Sequence, residues 1–374
     1  LSLETPFFIF DLNKVGSNYD TLDKALQPDG IFYAVKCNSL PEILRTLEEK
    51  GSQFEINNMG EVHKVKAAGI PLEKCINSSP FTPAKDVRAM YNQGIRQFCF
   101  DSKNMMDNLA INAPGCDAIM RIYSDNSGAR FELSGKAGVG KHQQEEYLDY
   151  AIQQGINVSG IAFHVGSQCY DTSNWSSAIK EAGRLFNKYP NLKTLNIGGG
   201  LPIQYNGLSR SAEEVSAVVW DSIDKYFDER PILQAEPGRY LVGDTAMTGS
   251  AVTQIKNGKM NMAIVDASVF AGHIEIIENG EDFQYPVQAA GNGDKSVYRI
   301  GGSTCAGTDI MAKSVVLPRL NVDFKEPDKS SRVFFLKTGA YTYEYIRSQT
   351  CCFNGAVKPK VYFMEDGEVY GRKS

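Results

Sequence analysis

The chain has 374 residues, 42% of them hydrophobic and 22% charged, with 39 Lys and Arg against 44 Asp and Glu for a formal net charge of −5. That is ordinary globular composition, long enough for one large domain and a second one. A net negative chain without a basic block excludes a dedicated nucleic-acid binder, and no apolar run approaches the ~18 residues of a membrane span. The eight Cys are scattered, with no CxxC pair and no Cys/His ligand spacing. Neither a metal site nor a disulfide scaffold is expected from them. Several lie in apolar runs, where reduced core thiols belong. The opening LSLETPFFIFD lacks the basic and apolar regions of a secretion signal, so a cytoplasmic protein with free thiols is expected.

In chain order, an opening strand-like run at 7–11 is followed by alternating strand and helix patterns. Apolar, β-rich segments begin near Ile31, Ser52, Cys75, Gln97, Ala118, Val158, Thr194 and Ile232. Helical patterns lie between them, including LPEILRTLEEK (40–50), TPAKDVRAMYNQG (82–94), QQEEYLDYAIQQG (143–155) and AEEVSAVVWDSIDKYF (212–227). Eight strands alternating with helices read as one parallel sheet, and eight is the number that closes into a (β/α)8 TIM-like barrel. An open doubly wound sheet is the competitor, but it seldom keeps so even an early pitch. Past Val242 the texture changes to AIVDASVF, SVYRI, RVFFLKTGAYTYEYI and KPKVYFM, β-rich segments with turn formers between them. The expectation is an α/β chain with a barrel over 13–243. A mostly antiparallel β domain follows over 244–374 and takes in the N-terminal strand of 1–12.

Active sites of such barrels lie at the C-terminal ends of the strands. There the sequence carries Lys36 after IFYAV, Glu55 and Asn57 after the second strand, Arg121 after the fifth, and His164 before Val-Gly-Ser167. The glycines 198–200 and the run Glu236-Pro237-Gly238-Arg239 end the last two strands. A desolvated lysine has its pKa lowered, which suits Schiff-base chemistry. Three successive glycines leave backbone N–H groups open to an anion. Singly, each residue has a bland reading: a surface charge, a core histidine, a loop, a cap. Jointly, they favour a site. One competing motif, Gly135-Lys-Ala-Gly-Val-Gly140-Lys141, matches the first seven positions of a phosphate-binding P-loop. His142 stands where Ser or Thr is needed, and the preceding ARFELS is too polar for that motif's buried strand.

In this order the motifs resemble the fold-type III pyridoxal-phosphate decarboxylases, the ornithine and diaminopimelate decarboxylase family, whose fold is alanine racemase-like. The residues carrying the resemblance are Tyr33-Ala-Val-Lys-Cys-Asn38, Phe54-Glu-Ile-Asn-Asn58 with Glu61, His164-Val-Gly-Ser-Gln168 and Gly198-Gly-Gly-Leu-Pro202. They continue with Glu236-Pro-Gly-Arg-Tyr240, Ser303-Thr-Cys-Ala-Gly-Thr-Asp309, Gly339-Ala-Tyr-Thr342 and Phe353-Asn-Gly355. The resemblance implies that Lys36 holds pyridoxal 5'-phosphate, that His164 stacks on its ring, and that Glu236 bonds the ring nitrogen. It implies phosphate binding by Ser167, Gly200, Gly238, Arg239 and Tyr341, with Glu55, Arg121 and Pro237 also at the cofactor. By the same resemblance Cys305 returns a proton to Cα, and two such sites are shared within a homodimer.

The departures concern substrate. Ornithine and diaminopimelate decarboxylases carry an acidic residue after this cysteine; here it is Ala306. Glu278, Glu281 or Asp282 falls where the family senses substrate length, and Asp309, Tyr341 and Phe353 are further candidate substrate contacts. The implied function is decarboxylation of an amino acid, basic or diamino, releasing CO2 and an amine. The alternatives are a larger conjugated substrate, as in siderophore or antibiotic biosynthesis, and a catalytically dead regulatory homologue.

Overall fold

The computed structural model describes residues 3–133, 135–278, 283–291, 293–347 and 356–371. It divides into two compact units, one of residues 16–203 and 209–241, the other of residues 1–15, 204–208 and 242–374. The first is a closed barrel of eight parallel strands. In order around the barrel these are Gly30–Ala34, Gln53–Ile56, Cys75–Asn77, Gln97–Phe100, Asp117–Arg121, Val158–Ala162, Thr194–Asn196 and Ile232–Ala235. The last pairs back onto the first, Ala235 opposite Ile31.

Period and capping explain the helices between them. Helix Pro41–Glu49 starts on a proline and buries Ile43, Leu44 and Leu47, one stripe of a 3.6-residue repeat. Helix Ala212–Tyr226 buries Val215, Val219 and Ile223 along one face and begins with a capping box. There the Glu214 N–H donates to the Ser211 hydroxyl at 3.2 Å and the Ser211 N–H to the Glu214 carboxylate at 2.8 Å. Asn58 and Ser102 cap the helices Met59–Ala67 and Lys103–Asn112 in the same sense. Inside the barrel, Gln97 and Gln234 exchange reciprocal amide bonds of 2.9 and 3.1 Å, which satisfies both side chains. A short antiparallel pair that the strand pattern does not suggest, Ala129–Phe131 with Ser167–Cys169, follows the fifth and sixth barrel strands. Its strands have three residues each, too few for alternation to register.

The second unit holds a nine-stranded mixed sheet. Strand Phe7–Asp11 lies antiparallel to Ala246–Lys256 and parallel to Lys360–Glu365. Its FFIF run is continuous rather than alternating because Phe7, Phe8, Ile9 and Phe10 are all buried. Most of the remaining pairs are antiparallel, among them Ala246–Lys256 with Arg332–Leu336 and Lys295–Gly301 with Ile310–Pro318. Among the described residues no helix is long and apolar enough to cross a membrane.

A histidine sits in the core of this unit. His273 is fully buried, its ring stacked on Phe8 with centroids 5.7 Å apart. Its Nε2 lies 2.9 Å from the Thr248 hydroxyl, which donates onward to Thr338 at 3.0 Å. Burial pushes its pKa down to about 4. The unfolded chain takes up this proton near pH 6.5 and the folded chain only near 4, so the contribution is intact above 6.5 and lost as pH falls between the two values. The loss amounts to a few kcal/mol. Thermal melts of His273→Phe should fall less steeply than wild type from pH 6.5 to 4; equal slopes would show that the histidine does not titrate on unfolding.

Candidate active site

Eight strand ends converge at one mouth of the barrel. Lys36 occupies a single 3-10 turn, Val35–Cys37, directly after the first strand. The parallel register sets Ala34 opposite Glu55 on the second strand. The Lys36 Nζ donates to Glu55 Oε2 at 3.0 Å. Glu55 is fully buried, and its Oε1 has no protein hydrogen-bond partner. Pro237 contributes its carbonyl to the lysine strand, accepting the Ala34 N–H at 3.1 Å.

Glu236 follows the eighth strand and is 8% exposed. Two donors reach the same oxygen, Oε1: the Ser78 hydroxyl and the Asn196 Nδ2, the latter at 2.6 Å. Both of these hydrogen bonds fall on Oε1 rather than on Oε2. Strand-end reading passes over Ser78 and Asn196, although both are polar residues where apolar strands stop. That position was the available signal.

The charges set the protonation states. Burial pulls the Lys36 pKa down, but Glu55, then Glu236 and Glu61, outweigh it and hold the amine above the ordinary lysine value. Its side chain remains 39% exposed, so desolvation is partial and the carboxylates decide. This corrects the expectation of a lowered amine pKa: the apolar run before Lys36 is visible in sequence, the facing carboxylates are not. Glu61, 6% exposed, is pushed up to about 7 by burial and by Glu55. Burial and then Glu55 also raise Glu236. His164 follows the sixth strand; burial, then the Arg121 and Lys36 charges, hold its pKa well below the usual histidine value. The Gly166 N–H donates to His164 Nδ1 at 3.0 Å, which puts the ring proton on Nε2. His164 is thus a neutral, fixed, flat ring.

Glycines line the adjoining side. Gly198 and Gly200 take φ of +64° and +102°, a region that side chains disfavour. A Cβ at Gly200 would sit 2.6 Å from the Gly166 carbonyl oxygen. Nearby, Arg239 Nε donates to the Ser167 hydroxyl at 3.1 Å, and the guanidinium lies 4.5 Å above the Phe131 ring centroid. A Cβ at Gly238 would come 3.0 Å from the Cys37 Cβ. Backbone N–H groups, a hydroxyl and a buried guanidinium form a set suited to a phosphate. The P-loop-like stretch is built otherwise: its Gly138 N–H is taken by the Asp101 carboxylate at 3.0 Å, and Val139 bridges to Ile122.

These residues fit pyridoxal phosphate on their own chemistry. An amine is available for an aldehyde, a carboxylate oxygen for a ring N–H, a neutral ring for stacking, and a glycine cradle for a dianion. The remaining expected residues belong to the other unit. Cys305 is exposed on a loop between Gly301 and Ile310, and Tyr341 adopts φ of +52°. Asp309 accepts from Val269 N at 2.8 Å, Ser268 Oγ at 2.9 Å, and Thr304 N and Oγ1 at 2.9 and 2.6 Å. These four donors tie the buried Asp309 carboxylate to Thr304 of its own loop and to Ser268 and Val269. Ala306 lies on the same loop, its carbonyl accepting the Asp309 N–H at 3.0 Å. Glu278 ends the short helix Glu275–Glu278 and is exposed. Glu281, Asp282 and Phe353 lie outside the described residues.

The arrangement defines a barrel enzyme built to hold a phosphorylated aldehyde cofactor. Residues 12–243 match the family model described as pyridoxal-dependent decarboxylase, pyridoxal binding domain, and the chain belongs to that family. It is 29% identical over 377 residues to the lysine/ornithine decarboxylase of Selenomonas ruminantium, covering 99% of this chain and 92% of the relative. Its fold matches that of the Paramecium bursaria Chlorella virus arginine decarboxylase, solved bound to agmatine. The TM-score is 0.87 at 26% identity, over 97% of this chain and 98% of that one. It also matches SrLDC, solved with PLP and cadaverine, with a TM-score of 0.86 at 28% identity over 97% and 91% of the two chains.

Proposed function

We propose that this chain removes the α-carboxyl group of a basic amino acid with pyridoxal 5'-phosphate, releasing CO2 and an amine, from sites shared between two copies in a cytoplasmic homodimer. The observation that carries the chemistry is Glu236, a buried carboxylate with both its hydrogen-bonded donors on Oε1. When bound, pyridoxal phosphate supplies a protonated ring that accepts the electron pair left on Cα as CO2 departs. Glu236, with both its donors on Oε1, would use Oε2 to keep a proton on the ring nitrogen, where a cationic partner would weaken the electron sink and favour racemisation. Lys36 is the amine that attaches the cofactor, its ammonium steadied by Glu55 before loading. His164 stacks without adding charge, so it does not compete with Glu236 for the ring's proton. Ser167, Arg239, Gly238 and Gly200 would hold the phosphate and fix the ring's orientation, and the family resemblance adds the Tyr341 hydroxyl to them. Arg121 keeps the mouth electropositive on the histidine side.

Cys305 is the proton donor to Cα. Its exposure suits a thiol that must reach a substrate outside its own loop, and the family resemblance supports its crossing to the partner's site. The substrate reading rests on the lysine/ornithine and arginine activities named for the relatives. Loss of an acidic residue at Ala306 moves recognition of the distal ammonium elsewhere, since an unpaired buried ammonium costs several kcal/mol; Glu278 is the carboxylate proposed for it.

Glu236→Gln should keep cofactor bound but slow CO2 release by roughly 10²–10³-fold, a few kcal/mol of lost carbanion stabilisation; near-wild-type turnover would refute the electron-sink assignment. Lys36→Ala and Cys305→Ala, each inactive, should recover about a quarter of wild-type turnover when mixed and exchanged, because half of the dimers are then mixed and each of those holds one intact site. No recovery despite demonstrated exchange would mean that each site is contained in one chain.

A further inference from the structure

Asn196 is the last residue of the seventh barrel strand and is 1% exposed. Its amide makes two bonds of opposite polarity. The Oδ1 accepts the Gly198 N–H at 2.9 Å, and the Nδ2 donates to Glu236 Oε1 at 2.6 Å. The first bond settles the second: an amide whose oxygen is committed to a backbone N–H can offer only its NH2 on the other side. The amide therefore cannot flip, and Glu236 always meets a donor there. Ser78 delivers the second donor to the same oxygen.

We propose that Asn196 is a positioning residue that couples the glycine cradle to the Glu236 carboxylate, holding Oε1 as a permanent acceptor so that Oε2 alone faces the cofactor ring. The inference rests on the reading of Glu236 as the ring-nitrogen partner. One side chain bridges the two groups that must address opposite ends of one rigid ligand. Its Oδ1 bond helps keep Gly198 at its φ of +64°, and its Nδ2 bond fixes the plane of the carboxylate. A donor on Oε1 stabilises the charged form of Glu236, so its loss lets the carboxylate take up a proton at higher pH. The Gln97 and Gln234 pair deeper in the barrel offers no such link, because each amide is satisfied by the other.

The test uses full-length holoenzyme carrying Asn196→Ala, Asn196→Asp or Glu236→Gln, followed by cofactor titration, by the bound cofactor's absorption spectrum against pH, and by kcat against pH. Asn196→Ala should weaken cofactor binding by five- to thirty-fold, the worth of one or two hydrogen bonds. It should also lower kcat with KM little changed, and move the acid limb of the kcat profile to higher pH by about half a unit or more. A purely structural role would lower kcat without moving that limb. Asn196→Asp preserves size and the acceptor for Gly198, and so serves if the alanine variant does not fold. It can donate to Glu236 only when protonated, so its activity relative to wild type should fall as pH rises. Wild-type affinity, spectra and pH profiles in either folded variant would overturn the inference. If Glu236→Gln is impaired while the Asn196 variants behave as wild type, the Asn196 inference alone fails. If Glu236→Gln itself turns over normally, the reading of Glu236 fails first.

Discussion

The barrel mouth concentrates charge that the fold itself does not need. The Lys36 amine stands 3.0 Å from Glu55, a fully buried carboxylate with one oxygen unmatched by protein, and Glu236 and Glu61 are buried within electrostatic reach of the same amine. An arrangement with more buried acid than base is costly as a structural device, since removing one partner strands the other. It becomes sensible as a site awaiting a ligand with a protonated ring and a reactive carbonyl. The neutral His164, the cradle glycines and the Ser167–Arg239 pair suit the same ligand: a flat ring to stack on, room for close backbone approach, and a hydroxyl beside a guanidinium.

Much of this was legible in the sequence because strand ends are short and local. The runs IFYAV before Lys36, GIAF before His164 and ILQA before Glu236 each mark where a buried strand stops and a chemical group begins. The barrel itself followed from the alternation of strands and helices, and the association of Phe7–Asp11 with the β-rich region from its position ahead of the repeat. The antiparallel pair Ala129–Phe131 with Ser167–Cys169 left no such trace, because strands of three residues carry no period.

What the sequence hid lies in pairings between distant strands. An apolar run before a lysine suggests desolvation, yet the sign of the Lys36 shift is set by Glu55 and Glu236, brought there by barrel register and closure. Ser78 and Asn196 read as polar punctuation until the fold sets both against Glu236 Oε1. Asp309, in a motif that suggested substrate contact, takes donors from Ser268, Val269 and Thr304, pairings that the motif does not show. The P-loop-like glycines failed in the converse way: the spacing was present, but Asp101 occupies the Gly138 N–H that an anion would need.

The central claim, that these groups are assembled for loss of an α-carboxyl group from a basic amino acid, is tested most directly by following the holoenzyme with carboxyl-labelled L-ornithine, L-lysine and L-arginine. The account predicts release of labelled CO2 in step with the corresponding amine from at least one of them. Racemisation with the label retained, or no turnover of any of the three by cofactor-loaded protein, would contradict it.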